Sequence, residues 1–274
     1  MIFEFHKISS PLDKYIERIF YYKDLVSEHS VERVTPTGNL FLLFELDGFE
    51  RRIFDNALHP IGHFKNTWVS GMQKKFLNIS VHQHSEMLVV QFKPSGAYPF
   101  FKIPINELND SVRQSEIYFG DSVTNLRNNI KQIQDASGKF KVVEQWLMER
   151  LEEKKAAPQE IVDVVSKLHN QPFSKHNDLL KDYPKTSKHL INQFKKYCGL
   201  TPKNLHRIFR FNTLLSNINQ KKDITWTDIA YEMEYADQAH FIKEFQEFSG
   251  FNPTKFIKNG YNNESVPNFL PLDK

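Results

Sequence analysis

TSKHLINQFKKYCGLTPKNL, residues 186–205, and DQAHFIKEFQEFSGFNPTKF, residues 237–256, are two copies of one pattern set 51 residues apart. Leu190, Ile191, Phe194, Gly199, Pro202 and Leu205 recur as Phe241, Ile242, Phe245, Gly250, Pro253 and Phe256. In each copy apolar residues at i, i+1 and i+4 precede a glycine, and a Thr-Pro or Asn-Pro pair follows it. That order reads as helix, glycine stop and new helix start. A short helix before each copy, around Asn177 to Asp182 and Thr227 to Met233, completes two helix-turn-helix modules. In that motif the second helix enters the DNA major groove.

The remainder of the chain sets bounds on this reading. At 274 residues and 40% hydrophobic, it can bury a full core and has room for two domains. Its one cysteine, Cys198, excludes a disulfide framework and points to a reducing compartment. The start, Met1 to Lys7, contains Glu4 and no long apolar run. Nothing downstream reaches the roughly 18 to 20 apolar residues of a membrane helix. The expectation is a soluble, cytoplasmic protein with no membrane partner.

A net charge of +3 says little by itself, but its distribution is uneven. Between Lys175 and Lys222 lie eleven basic residues against Asp178 and Asp182. From Asp223 to Lys258 only Lys243, Lys255 and Lys258 face seven carboxylates, Glu234 and Glu244 among them. Phosphate binding should therefore lean on the first module, because cation density sets the electrostatic part of affinity.

Thr186 can cap a helix from Ser187 to Tyr197 with Leu190, Ile191, Phe194 and Cys198 as its buried stripe. Ser187, Lys188, His189, Asn192, Gln193, Lys195 and Lys196 then point outward. Asn and Gln can pair bidentately with adenine, and Lys can read guanine or hold phosphate. Ile191 is ambiguous, since it could instead meet a thymine methyl group. Asp237 caps the matching helix to Phe248, which leaves Gln238, His240 and Lys243 facing DNA and Ala239 small enough for close approach. Thr201 and Pro202 start a long helix through about Asn217 that joins the modules. Two major-groove helices on one rigid monomer would sit about one turn, roughly 34 Å, apart along the duplex.

Residues 224–257, ITWTDIAYEMEYADQAHFIKEFQEFSGFNPTKFI, resemble the signature of AraC-type transcription regulators, and Leu179 to Leu215 resembles their more variable first module. The sequence departs from that pattern twice. Glu234 stands where the family usually has a turn glycine, and Pro184 with Lys185 replaces the usual Gly and apolar residue of the first turn.

The N-terminal region has a different texture. Asn39 to Leu46, Asn66 to Ser70, Phe76 to Val81 and Met87 to Lys93 are rich in Phe, Val, Ile and Leu and are separated by Gly, Pro and Asn, as short strands of a sandwich or barrel are. Helices follow at about Ser122 to Gln134 and Phe140 to Lys154, and KKAAP, Lys154 to Pro158, is the candidate linker. The order Pro11 to Ile16, Thr35-Pro36-Thr37-Gly38-Asn39, Ser70-Gly71 and Phe92 to Ala97 resembles an uncharacterised domain often fused to AraC-type modules. That resemblance implies a cupin-like β-fold serving as sensor or dimerisation domain. Tyr21, Tyr22, Phe41, Phe44, Trp68 and Phe92 are candidates to line a small-molecule pocket, although aromatic stripes on strands also make ordinary core.

An enzymatic reading finds little support. His82, His84 and Glu86 alternate and would share one face of a strand, as cupin-type metal sites require, with His59 and His63 nearby in sequence. The same stretch reads equally well as a polar hairpin turn. No GxSxG, P-loop or dinucleotide fingerprint occurs. The expectation is no enzyme, no cofactor, no metal and no catalytic residue.

These readings combine into an α+β chain: a β-rich cupin-like or barrel domain over residues 1–118, a helical connector over 119–157, a double helix-turn-helix domain over 158–260 and a flexible or docked tail over 261–274. The expected function is a bacterial-type, sequence-specific transcription regulator. Its candidate partners are double-stranded promoter DNA, a small-molecule effector, RNA polymerase and a second copy of the chain. The alternatives are a protein-interaction factor whose second module no longer reads bases, and a cupin-like metalloprotein.

Overall fold

Short runs of aromatic and β-branched residues broken by Gly, Pro and Asn fold as strands in the computed structural model, which describes residues 1–219, 224, 226, 229, 237–261 and 268–273. The strands are β1 (Ile2–His6), β2 (Ile16–Leu25), β3 (Val31–Val34), β4 (Leu40–Glu45), β5 (Arg51–Phe54), β6 (Pro60–Phe64), β7 (Thr67–Ser70), β8 (Leu77–Ser80), β9 (Ser85–Phe92), β10 (Val112–Gln114) and β11 (Phe269–Pro271). They form two antiparallel sheets, ordered β1-β2-β9-β4-β7-β10 and β11-β3-β8-β5-β6. The sheets face each other without closing into a barrel, so the β-rich expectation is met as an open sandwich.

Side-chain alternation sorts the first sheet into two apolar faces. Ile19, Tyr21, Leu40, Leu42, Phe44, Val69, Leu88, Val90 and Phe92 pack into the main core. Their neighbours Leu43, Trp68, Met87 and Val89, with Phe20, Tyr22 and Phe41 against them, form a second cluster toward the other sheet. Register holds this second face together, since Tyr22 pairs with Met87, Phe20 with Val89, and Leu43 with both Val89 and Trp68.

Helices cover the first face. The short α1 (Tyr98–Phe101) and α2 (Glu116–Phe119) precede α3 (Asp121–Gln132) and α4 (Ala136–Arg150). Asp135 caps α4 by accepting from the Gly138 N–H at 2.8 Å, and the buried Lys139 ammonium donates to the carbonyls of Ile130 and Ile133 at the end of α3. The expected linker is a 3-10 turn over Glu153–Lys155, and Glu152 just before it pairs with Lys102 and Lys155.

The C-terminal helices are α5 (Gln159–Asn170), α6 (His176–Leu180), α7 (Ser187–Cys198), α8 (Pro202–Ile218), α9 (Gln238–Ser249) and α10 (Pro253–Lys258). α5 adds a helix to those expected, and its buried Ile161, Val164, Val165 and Leu168 stand at i, i+3, i+4 and i+7. Thr227 to Met233 lies largely outside the described residues, and Glu234 lies wholly outside them. One continuous apolar core runs from the strands of the first sheet through α3, α4 and α5 to α9 and α10. Of the two expectations for the tail, its described end is docked rather than free: β11 pairs with β3, and Asp273 accepts from the backbone of Ser30 and Val31. Edge addition satisfies backbone groups that β3 would otherwise expose.

Candidate DNA interface and inter-sheet cavity

The 51-residue repeat is also a repeat of hydrogen bonds. The Thr186 hydroxyl accepts from the His189 N–H at 3.2 Å at the start of α7, and the Asp237 carboxylate accepts from the His240 N–H at 2.7 Å at the start of α9. Thr201 and Asn252 cap α8 and α10 in the same way. The two helices stop at Gly199 and Gly250, whose φ angles of 80° and 74° suit a residue without a Cβ. Leu190, Phe194 and Cys198 are buried, as are their counterparts Phe241, Phe245 and Ser249. Burial pushes the Cys198 thiol well up, which leaves it an inert core group.

With the apolar stripe inward, α7 exposes Ser187, Lys188, Ile191, Asn192 and Lys195. Lys188, Ile191, Asn192 and Lys195 stand at i, i+3, i+4 and i+7, so they share one face. Ile191 is 37% exposed and belongs to that face rather than to the core. His189 is half-buried, its ring bonded to the Tyr183 hydroxyl at 2.9 Å across the turn that contains Pro184 and Lys185. Gln193 is half-buried at the margin. Lys196 turns away, with its ammonium 4.9 Å from the ring centres of both Tyr98 and Tyr197, toward the N-terminal domain. On α9, Gln238, Ala239, His240, Lys243 and Gln246 are exposed.

Glu244 of α9 is absent from this face. Glu244 is 2% exposed; it accepts from Arg207 Nε at 2.6 Å and from Arg210 Nη2 at 2.7 Å, and Glu247 accepts from Arg207 Nη2 at 2.7 Å. These charges fasten α9 to α8. They also mean that Arg207, Arg210 and Lys196, counted in the sequence as phosphate-seeking cations, have protein partners.

Between the two sheets lies a cavity of about 170 Å³. Phe20, Tyr22, Phe41, Leu43, Trp68, Met87 and Val89 line it from the first sheet, and Val34, Leu77, Ile79 and Phe269 from the second. Of the six expected aromatic residues, Tyr22, Phe41 and Trp68 reach it. Tyr21, Phe44 and Phe92 face the helices instead, one residue out of phase. His82 and His84 belong to the β8–β9 turn, as the plainer reading had it: His82 bonds Ser80 and the Glu50 carbonyl and stacks on Phe49, while Glu86 accepts from Tyr21 on the opposite face. His59 sits in an exposed pair with Asp55. Among the described residues no His, Cys, Asp and Glu side chains group as a metal site.

Residues 183–259 match the model of a helix-turn-helix domain, and residues 5–114 match that of a domain of unknown function (DUF6597). The C-terminal region is an AraC-type helix-turn-helix domain. No curated protein matches the chain. Solved structures similar to it are of ToxT from Vibrio cholerae: one at 11% identity, covering 88% of this chain and 98% of that one with a TM-score of 0.44. A second, bound to (E)-4-(8-methylnaphthalen-1-yl)but-3-enoic acid, shows 12% identity over 87% and 97% at 0.44. A third, with bound unsaturated fatty acid, shows 12% identity over 86% and 93% at 0.42.

The AraC-type domain is fixed to the cavity wall along the segment between β3 and β4. Thr35, Pro36, Thr37 and Asn39 line the cavity, while a Cβ on Gly38 would stand 3.1 Å from Phe209 and 3.2 Å from Leu205 of α8. Asn212 of α8 donates to the Thr37 carbonyl, and Asn268, just before β11, donates to both Asn212 and Thr35. The Arg33 guanidinium, packed on Phe76 and Phe251, donates to the Ser249 carbonyl at the end of α9. Tyr261 donates to the Pro271 carbonyl of β11. The residues in contact with the two helix-turn-helix units thus adjoin those that enclose the cavity. No described helix is long and apolar enough to cross a membrane.

Proposed function

We propose that this chain is a cytoplasmic, sequence-specific transcription regulator: α7 and α9 read promoter DNA, and the β-sandwich of residues 1–118, joined through the connector helices, senses a small molecule in the inter-sheet cavity. The observation that carries the reading is the pair of equivalently capped helices 51 residues apart, each with a buried apolar stripe and an exposed polar face. On α7 the reading residues are Ser187, Lys188, Asn192 and the marginal Gln193, with His189 in support. On α9 they are Gln238, His240 and Lys243. Lys196 is better assigned to holding the modules against the sensor. Half-sites one helical turn apart suit two such helices on one chain.

A bound molecule acts by favouring one of two placements of the modules, and its differential affinity for the two sets the size of the response. The Thr35 to Asn39 segment and β11 are the elements that both sites touch. RNA polymerase and a second copy of the chain are the partners such a regulator would use. The pairing of Glu244 with Arg207 and Arg210 favours this reading over an interaction factor with an acidic second module. The test is selection of bound sequences from genomic DNA with wild type, Lys188→Ala, Asn192→Ala and Gln238→Ala at two salt concentrations. Two half-sites about one turn apart, altered separately by changes in α7 and α9, are the expected result. Salt-sensitive binding without a motif would overturn it.

A further inference from the structure

The polar groups around the inter-sheet cavity are nearly all engaged. Arg51 donates from Nε and Nη2 to Glu45 at 2.9 and 2.7 Å, and from Nη2 to Asp47 at 2.9 Å. Glu45 also accepts from the Trp68 indole. Glu32 faces the His29 ring at 2.7 Å. The Asn39 amide donates to the Phe92 carbonyl, that of Gln73 to the Gly71 and Ser111 carbonyls, and the Ser80 hydroxyl accepts from the Arg52 N–H. Two adjacent groups on β2 and β9 stand apart. The Ser85 hydroxyl, 1% exposed, has no partner within hydrogen-bond geometry among the described residues. The Tyr22 hydroxyl donates to the Met87 sulfur at 3.6 Å, a weak acceptor, and lies close enough to the Ser85 hydroxyl to feel it. Burial raises the Tyr22 phenol well above its ordinary range, so it remains a donor.

A buried hydroxyl without a partner costs about 1–3 kcal/mol, and a ligand atom that supplies the partner recovers that cost. A carboxylate would meet a guanidinium already bound by two carboxylates and would lose its hydration without a free counter-charge. The volume is close to the roughly 150 Å³ of a dry apolar cavity that admits benzene. We infer that the cavity takes a neutral, single-ring apolar molecule carrying one hydroxyl or carbonyl, whose oxygen sits between Tyr22 and Ser85. This inference rests on the sensor reading above and narrows its ligand to one chemical class.

The test uses the full-length protein and three matched probes, 4-methylphenol, toluene and 4-methylbenzoate, titrated by calorimetry. 4-Methylphenol should bind about tenfold more tightly than toluene, as one recovered hydrogen bond predicts, and 4-methylbenzoate at least tenfold more weakly than toluene. Ser85→Ala and Tyr22→Phe should each bring 4-methylphenol to the level of toluene while leaving toluene unchanged, which also shows that the variants fold. Val89→Trp, which fills the cavity, should abolish binding of all three. Equal or tighter binding of 4-methylbenzoate overturns the ligand class but leaves the cavity as a sensor site. Retained binding in Val89→Trp, or no binding of any probe to wild type, overturns the site itself. If 4-methylphenol binds as expected but DNA affinity is the same with and without it, the class stands and the sensor reading falls.

Discussion

The two helix-turn-helix units share one backbone plan and differ in what they present. Each has an oxygen cap, a buried aliphatic or aromatic stripe, a left-handed glycine and a second capped helix starting with proline. Their surfaces diverge: α7 offers Lys188, Asn192 and Lys195, whereas α9 offers Gln238, His240 and Lys243. Local hydrogen bonds and apolar spacing constrain the backbone tightly, whereas an exposed polar position is constrained only by what it touches. The same plan can therefore carry two different reading faces, and a repeat in the sequence is stronger evidence for shared geometry than for shared contacts.

Four measurements would break or sharpen this contrast. The largest effect should come from the bond between the units. Glu244→Ala leaves Arg207 and Arg210 without their shared carboxylate and should cost about 3 kcal/mol of stability in denaturant unfolding; a loss below about 1 kcal/mol would make the pairing a surface feature. Next comes charge. The double variant Lys188→Ala, Lys195→Ala should lower DNA affinity about tenfold and reduce the salt slope by about 2. Lys243→Ala should reduce that slope by no more than about 1, and equal slopes for the two units would remove the asymmetry.

The caps should be equivalent. Thr186→Ala and Asp237→Ala are each expected to cost about 1 kcal/mol by thermal or chemical unfolding, and a large inequality would mean that one helix depends on its cap more than the other.

The smallest effect is in pH. The Nδ1 atoms of His176 and His206 lie 3.3 Å apart between α6 and α8, a pair confined to the first unit among the described residues. Burial, then the neighbouring His206 and Lys203, pull the His176 pKa down to about 4. Burial also lowers His206, with Arg210 acting in the same direction and the Gln171 carbonyl and Glu244 opposing it. A folded pKa below the unfolded value of about 6.5 favours the neutral ring, so this stability is present above pH 6.5 and lost as pH falls from there toward 4. His176→Gln should flatten unfolding free energy against pH across that window; an unchanged profile would assign the acid sensitivity elsewhere.

Much of this was readable from the chain. The repeat, the caps at Thr186, Thr201 and Asp237, the strands around Asn39 to Leu46 and Met87 to Lys93, and the polar turn at His82 all rest on contacts within a few residues. The apolar spacing of α5 is equally local. Other features were beyond its reach. Aromatic residues at 21 and 22 look alike in sequence, yet Tyr22 faces the cavity and Tyr21 the helices, because a one-residue change of phase inverts every side chain on a strand and only the partner sheet decides which phase is inner.

Periodicity, caps and glycine stops follow from interactions within a single helical turn or strand, so the order of elements and the doubled module could be read in the residues alone. Where Arg207, Arg210 and Lys196 direct their charge, how β11 closes the edge of the second sheet, and which walls meet to leave Ser85 unpaired all depend on groups tens to hundreds of residues apart. Only folding brings such groups within hydrogen-bond distance, so the tertiary structure alone decides them.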